Sequence, residues 1–387
     1  MRRRLLLITE IIAPYRVPVF NALAERADIE LHVVFLSETD SSLRDWAVPR
    51  DEIRFSYQVL PSFRRRLGKY NFLINWCLRD ALEKTAPEAI VCGGYNYLAS
   101  WQAAYWAKRQ QVPFLLWLES TASDHRGHLP FVEALKRNFL EMCRGFVVPG
   151  LASREYLQQF GISGQRIFRA PNAVDNRLFT ERSKRARAGD SIVRKKLGLP
   201  ERYFLNVGRL VEAKGVFELL AAYAKLDPAL RSSVGLMFVG EGASKSELIA
   251  RSSQISPGNV KFAGFVQKER LAEFYALSDA LVFPTHSDTW GFVVNEAMAC
   301  GLPVIASEVA GCVPDLVQNG WNGMVVPSKD VNNLSAAMEL IATSCELRSK
   351  MGARSIERLA AYSPEACAAG IAGAVASMQG SDHDPRV

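Results

Sequence analysis

The sequence lacks the complete form of several common nucleotide and metal signatures. Gly208-Arg-Leu-Val-Glu-Ala-Lys214-Gly215 has no Gly-Lys-Ser/Thr, which excludes a P-loop reading. Gly240-Glu-Gly242-Ala-Ser-Lys245 has two glycines of a dinucleotide fingerprint, but Lys245 stands where the third belongs. This argues against an NAD enzyme. Asp-x-Asp occurs only at Asp382-His-Asp384, in the polar tail. A metal-dependent sugar transferase needs that pair at a strand end, so no obligatory metal and no cofactor are expected. No run of about eighteen apolar residues occurs, and no membrane-spanning helix is expected. Cys77, Cys92, Cys143, Cys300, Cys312, Cys345 and Cys367 are odd in number and never in CxxC spacing. They read as reduced thiols of a cytoplasmic protein, not as disulfides or zinc ligands. The opening Met1-Arg-Arg-Arg-Leu-Leu-Leu-Ile is broken at Thr9-Glu10 and at Pro14-Tyr-Arg16, with no small-residue cleavage site after it. It reads as a buried first strand and not as a signal peptide.

What is present suits a two-domain α/β enzyme. The chain has 387 residues, 49% apolar and 22% charged; that length exceeds one typical compact core. Short apolar runs alternate with amphipathic stretches in both halves, the pattern of parallel sheets. Strands are expected over 5–9, 30–35, 89–92, 114–118 and 145–148, then over 203–207, 235–239, 260–263, 280–284, 303–306 and 323–326. Helices are expected over 17–26, 70–84, 98–109, 131–143 and 364–378. The domains divide as 1–175 with 364–380, a basic connector over 181–196 read as a loop running into a short helix, and 197–363.

Charge is uneven along the chain. Residues 1–180 carry 24 Lys/Arg against 18 Asp/Glu, the connector 7 against 2, and residues 197–387 carry 16 against 20. A basic first half and connector suit an anionic membrane surface or a phosphorylated partner. A solvated surface without a partner explains the same charge, and both readings stand. Nucleic acid is disfavoured because no recognition motif accompanies the charge. The cluster Arg64-Arg-Arg66 with Lys69, beside Phe63 and Tyr70, has the same two readings: a membrane or phosphate contact, or a solvated loop.

The most informative segment is Asp288-Thr-Trp-Gly291-Phe-Val-Val-Asn-Glu296-Ala-Met-Ala-Cys-Gly-Leu-Pro303. It places two carboxylates across a loop-to-helix junction. The free N–H groups at such a helix start favour an anion. Carboxylates on either side can then hold hydroxyls of a ligand whose phosphates lie on the helix end. Arg209 and Lys214 follow the predicted strand 203–207, at the sheet edge where open α/β sheets bind ligands. A guanidinium fork and an ammonium suit a diphosphate. The bland reading, in which both cap a loop or pair with Glu212, loses once the carboxylate segment maps to the same edge.

Gly-Arg-Leu-Val-x-x-Lys-Gly, Phe-Val-Gly-Glu-Gly, Val-Lys-Phe-Ala-Gly-Phe-Val, Tyr-Ala-Leu-Ser-Asp-Ala-Leu-Val-Phe-Pro-Thr and the Asp288…Glu296 segment together resemble the retaining GT-B glycosyltransferases of family 4 (glycosyltransferase group 1). Ala-Pro-Tyr-Arg-Val-Pro-Val-Phe-Asn21, Trp-Leu-Glu119-Ser and Ala-Pro-Asn172-Ala-Val-Asp175 resemble one branch of that family. The resemblance implies two Rossmann-like domains facing a cleft, the second holding the donor, with a final helix crossing back to the first. It implies that Arg209 and Lys214 bind the donor diphosphate, Glu296 the ribose, and Asp288 the transferred sugar. It also implies that Gly208 and the backbone of Gly291, Phe292, Val293 and Val294 cradle phosphate, with Phe265 and Val266 beside the base. The implied partners are a nucleotide-diphosphate sugar and a saccharide or lipid-linked acceptor, in a cytoplasmic enzyme that can sit at the inner face of the membrane. Surface-polysaccharide assembly is the implied pathway class. Two departures stand out: the first carboxylate is Asp288 where the family often has Glu, and the loop 9–16 lacks the family's frequent glycines.

Acceptor-side candidates are Tyr15, Arg16, Gly94, Glu119 and His125. His125 can orient or deprotonate an acceptor hydroxyl, or be a loop histidine without a role. His125-x-x-His128 alone is weak as a metal pair. Two other readings are a sugar-nucleotide epimerase of similar fold and an inactive nucleotide-sugar-binding subunit. The first needs acid and base groups on both faces of the sugar, and no such set is visible.

Overall fold

The computed structural model describes residues 2–40, 46–67, 70–123, 130–256 and 258–378. The chain forms two units, Met1–Ala173 with Ser363–Val387, and Val174–Tyr362.

The first unit carries strands β1 (Arg3–Thr9), β2 (Ile29–Phe35), β3 (Ser56–Val59), β4 (Ser62–Leu67), β5 (Tyr70–Asn75), β6 (Ala89–Gly93), β7 (Phe114–Trp117), β8 (Gly145–Val148) and β9 (Ile167–Arg169). Seven of them form a parallel sheet in the order β3-β2-β1-β6-β7-β8-β9. β4 and β5 form a separate antiparallel ribbon. The central strands are buried on both faces and so read as continuous apolar runs. Leu5 and Leu7 face one cluster with Val33, Val91 and Val147, while Leu6 and Ile8 face another with Ile90 and Leu116. The last helix, Pro364–Ser377, seals the first cluster with Cys367, Ile371 and Val375.

The second unit carries β10 (Tyr203–Val207), β11 (Gly235–Val239), β12 (Val260–Gly264), β13 (Ala280–Phe283), β14 (Val304–Ser307) and β15 (Gly323–Val326). Their parallel order is β12-β11-β10-β13-β14-β15. The order reverses between β10 and β13, which opens a crevice at the carboxyl ends of these two strands. Tyr203, Leu205 and Val207 face one cluster and Phe204 the other, the alternation a pleated strand requires.

Three sequence expectations need correction. The helix expected over 70–84 is strand β5 followed by the helix Leu78–Thr85; β-branched and aromatic residues win over an apparent helical period. Strands β3 and β9 were not foreseen, both short and at sheet edges. The basic connector is not a loop but two helices, Asn176–Ala188 and Asp190–Leu197. Three of its seven cations bond to backbone of the second unit. Arg182 donates to the Glu269 carbonyl at 2.7 Å, and Arg187 to the carbonyls of Ala276 at 3.1 Å and Cys300 at 2.5 Å. Arg194 donates to those of Pro200 at 2.6 Å and Leu277 at 3.1 Å. The carbonyls of Ala276, Leu277 and Cys300 lie at helix C-termini, which carry negative partial charge and favour a guanidinium.

Candidate functional site

The loop after β10 begins at Gly208, whose φ of 146° lets the chain leave the sheet edge. It ends in the short turn Glu212–Lys214 and Gly215. Gly215 has φ 66°, and a Cβ there would meet the Pro284 carbonyl oxygen at 1.9 Å. This contact welds the cation-bearing loop to the loop after β13. His286 N–H donates to the Ala213 carbonyl at 3.0 Å, and the buried Thr285 hydroxyl donates to the same oxygen at 3.2 Å.

Across that weld Lys214 Nζ lies 2.5 Å from Asp288 Oδ2, both side chains about one-fifth exposed. Asp288 is itself fixed. Its other carboxylate oxygen accepts from the Trp290 N–H at 3.1 Å, and its carbonyl accepts from the Gly311 N–H at 2.9 Å. Trp290 is buried and donates its indole N–H to Asn295 at 2.8 Å. Arg209 is exposed and makes no side-chain hydrogen bond or ion pair among the described residues.

The helix Phe292–Ala299 starts at Gly291, φ 100°, where a Cβ would stand 2.7 Å from the Phe283 ring. No side chain caps it. The Val294 N–H is taken by the Gly291 carbonyl at 2.9 Å, so the expected cradle loses that donor. The Val293 N–H makes no hydrogen bond among the described residues and remains for a ligand. The side chains of Phe292 and Val293 pack on the core, and that of Val294 lies within it.

Glu296, about one turn into the helix, accepts from the Tyr275 hydroxyl at 2.7 Å. Burial pushes its carboxyl up to about 7, against the opposing pull of that hydrogen bond. Tyr275 is fully buried, and burial beside this carboxylate holds its phenol protonated. Tyr275 opens the Tyr-Ala-Leu-Ser-Asp motif, but the sequence alone gave it no role. Phe265, just past β12, is 43% exposed, while Val266 packs on the core.

The two glycines of the incomplete fingerprint also find their reason. A Cβ on Gly240 would stand 1.9 Å from the Gly208 oxygen, and one on Gly242 would stand 2.3 Å from that of Leu210. They let the loop after β11 lie against the loop carrying Arg209.

In the first unit three separated motifs converge at the carboxyl ends of β1, β7 and β9. Arg16 forms an ion pair with Glu119 and donates to Asn172 Oδ1 at 3.1 Å. Asn172 Nδ2 donates to Glu119 at 2.9 Å. The Arg16 guanidinium stands 4.0 Å from the centre of the Trp117 ring. Asn172 is buried, Arg16 is 13% exposed and Glu119 is 28% exposed. Tyr15 meets Trp46 edge-on at 5.9 Å. Gly94, φ 96°, has nothing within 4 Å of a Cβ position and leaves open space after β6. His125 and His128 lie outside the described residues. Neither reading of the arginine cluster describes Arg64, which is 17% exposed and bonded at 2.8 Å to both Glu10 and Asp40.

Two family models account for most of the chain. That of the glycosyl transferases group 1 matches residues 190–358, and that of Glycosyltransferase Family 4 matches residues 20–178. This chain belongs to the group 1 glycosyltransferases. It is 32% identical over 213 residues to a D-inositol 3-phosphate glycosyltransferase of Geodermatophilus obscurus, covering 52% of this chain and 46% of that one. A namesake from Thermobifida fusca is 29% identical over 230 residues, 56% and 51% of the two chains. The chain spans about half the length of the curated relatives it matches. In fold it is similar to Anabaena Alr3699/HepE, solved in complex with UDP and glucose. That match has a TM-score of 0.74 at 17% identity and covers 97% of this chain and 100% of that one. Sucrose-phosphate synthase of Thermosynechococcus elongatus matches with a TM-score of 0.74 at 22% identity, covering 98% and 100%. Two Rossmann-like units of the GT-B class are thus the fold of this family member.

Proposed function

We propose that this glycosyltransferase moves a sugar, with retention, from a nucleotide-diphosphate sugar to an acceptor hydroxyl. The observation that carries the reading is the Lys214–Asp288 contact at the crevice between β10 and β13, beside the start of the helix Phe292–Ala299. It sets a phosphate-binding cation against a hydroxyl-binding carboxylate at one place. Arg209, Lys214 and the Val293 N–H bind the diphosphate, with Gly208 and Gly291 shaping the backbone. Asp288 holds hydroxyls of the transferred sugar, Glu296 holds the ribose, and Phe265 covers the base.

In the reaction the bond from the anomeric carbon to the phosphate oxygen breaks, and the bond to the acceptor oxygen forms on the same face. The departing phosphate oxygen takes the acceptor proton. Negative charge grows on the leaving group, where fixed cations and a helix start stabilise it without a divalent ion. Neither Asp288 nor Glu296 acts as a nucleophile on this reading, unlike the opposed carboxylate pair of a hydrolase. The first unit takes the acceptor, a saccharide or lipid-linked saccharide, at the Arg16–Glu119–Asn172 cluster beside Tyr15 and Gly94. Its excess of Lys/Arg supports peripheral contact with an anionic membrane.

A thermal-shift panel of nucleotide sugars tests the donor site, because a specific ligand raises the unfolding midpoint by mass action. Linkage and anomeric analysis of the product then tests transfer and retention. Consumption of donor without acceptor identifies an epimerase instead; binding with no transfer to any acceptor identifies an inactive subunit. Loss of activity in EDTA, restored by a divalent ion, overturns metal independence.

A further inference from the structure

The ribbon of β4 and β5 has two unlike faces. Its inner face is tied down. Leu73 is 3% exposed, Asn75 donates to the Leu36 carbonyl at 2.5 Å, and Arg64 bonds to Glu10 and Asp40. On its outer face Phe63 stands opposite Ile74, and Arg65 opposite Phe72. Phe63, Phe72 and Ile74 are 54%, 52% and 47% exposed, and Trp76, just beyond, is 52% exposed. A contiguous aromatic face on a monomer marks an interaction surface.

The charge of the segment identifies the occupant. Residues 61–76 hold no Asp/Glu, and while Arg64 is spent on Glu10 and Asp40, Arg65 is exposed on the outer face opposite Phe72. Aromatic rings interleaved with arginine suit the boundary between acyl chains and anionic headgroups. A second copy seated on this face would bring Arg65 against its like with no acidic group of the segment to answer it, which is repulsive.

We propose that the outer face of this ribbon docks the first unit on an anionic lipid surface. This rests on the reading that the first unit takes the acceptor, and deepens it to a lipid-linked acceptor met at the bilayer. Arg64 joins the docked ribbon to Glu10, in the same loop that carries Tyr15 and Arg16. Contact with the surface therefore orients the acceptor side.

The test is sedimentation of the full chain with phosphatidylcholine vesicles, with and without 30% phosphatidylglycerol, at low and high salt. The wild type should bind the anionic vesicles and leave them at high salt. Phe72→Ser with Ile74→Ser should lower binding by roughly tenfold or more. Arg65→Glu should lower it by at least about fivefold, the worth of one basic side chain at such a surface. Nucleotide-sugar affinity and the unfolding midpoint, read on the same samples, should stay within error of wild type. If the double variant unfolds, Arg65→Glu decides. Wild type that ignores anionic vesicles overturns the proposal, as do outer-face variants that bind like wild type or a wild-type dimer that these variants split. Failure to bind any nucleotide sugar, with vesicle binding intact, sinks the donor reading alone.

Discussion

In the second unit the groups that matter gather in two loops and one helix at a single sheet edge, and their spacing in sequence is short. In the first unit the corresponding edge draws Arg16, Glu119 and Asn172 from more than 150 residues of chain. Surface character differs in the opposite sense. Among the described residues, twelve of the seventeen exposed large hydrophobic side chains lie in the first unit. The second unit holds its helices with arginines aimed at carbonyls and leaves few apolar groups in water. On the proposed reading, one half grips a compact anionic ligand and the other meets something large and apolar. The proposed transfer between two unlike substrates would give reason to divide the surface in this way.

Substitutions can break or sharpen that division. The largest effect is expected from Lys214→Ala, which removes leaving-group stabilisation and leaves Asp288 without its cation. It should lower kcat/KM by about 10²–10³-fold, and unchanged turnover would remove Lys214 from the site. Arg209→Ala should weaken calorimetric binding of the matching nucleoside diphosphate without altering the fold, because its side chain is exposed.

Next is Glu296→Gln, with a loss of donor affinity of roughly 10–100-fold. Its signature is the pH profile. A carboxylate whose proton leaves at about 7 binds ribose hydroxyls better as pH rises through 7. Wild-type donor affinity should therefore climb between pH 6 and 8, and the variant should be flat. Stability runs the other way. The folded state holds this proton more tightly than the unfolded chain, so wild type loses stability as pH rises from the ordinary carboxylate range through about 7. Glu296→Gln should then unfold at a higher temperature than wild type at pH 8. A parallel pH profile in both proteins would discard this assignment.

A smaller effect is expected from Arg16→Gln. Acceptor KM should rise by about tenfold while donor affinity stays constant. An equal change in donor affinity would erase the distinction between the units. The smallest is Arg194→Ala, which removes two hydrogen bonds to carbonyls. It should cost about 1–2 kcal/mol of stability, seen in denaturant unfolding, and leave both substrates' affinities alone. A change in vesicle binding would show that the connector's charge serves a partner after all.

The second unit was the more legible in sequence. Four of its six strands, β10, β11, β13 and β14, are buried along their whole length, and the motif glycines mark close approaches that only glycine permits, as at Gly215 and Gly291. The proximity of Lys214 to Asp288 could be argued because both loops leave neighbouring strands at one edge. The partner of Glu296 could not, since Tyr275 meets it only through the packing of two helices. The arginines of 181–196 misled because net charge does not say which way a guanidinium points. Arg64 misled for the same reason. The ribbon was missed because Tyr70–Asn75 has apolar residues at both helical and strand spacings, and only its pairing with β4 decides between them.

The contact between Lys214 and Asp288 sets an internal rival against any anion that approaches the ammonium. A bare phosphate that shares the ammonium weakens its pull on the carboxylate and gives the carboxylate nothing in return. An intact sugar nucleotide offers hydroxyls to that carboxylate in the same event and so compensates the exchange. On the proposed reading, this discriminates against inorganic anions and spent nucleotide before any bond to the sugar is broken.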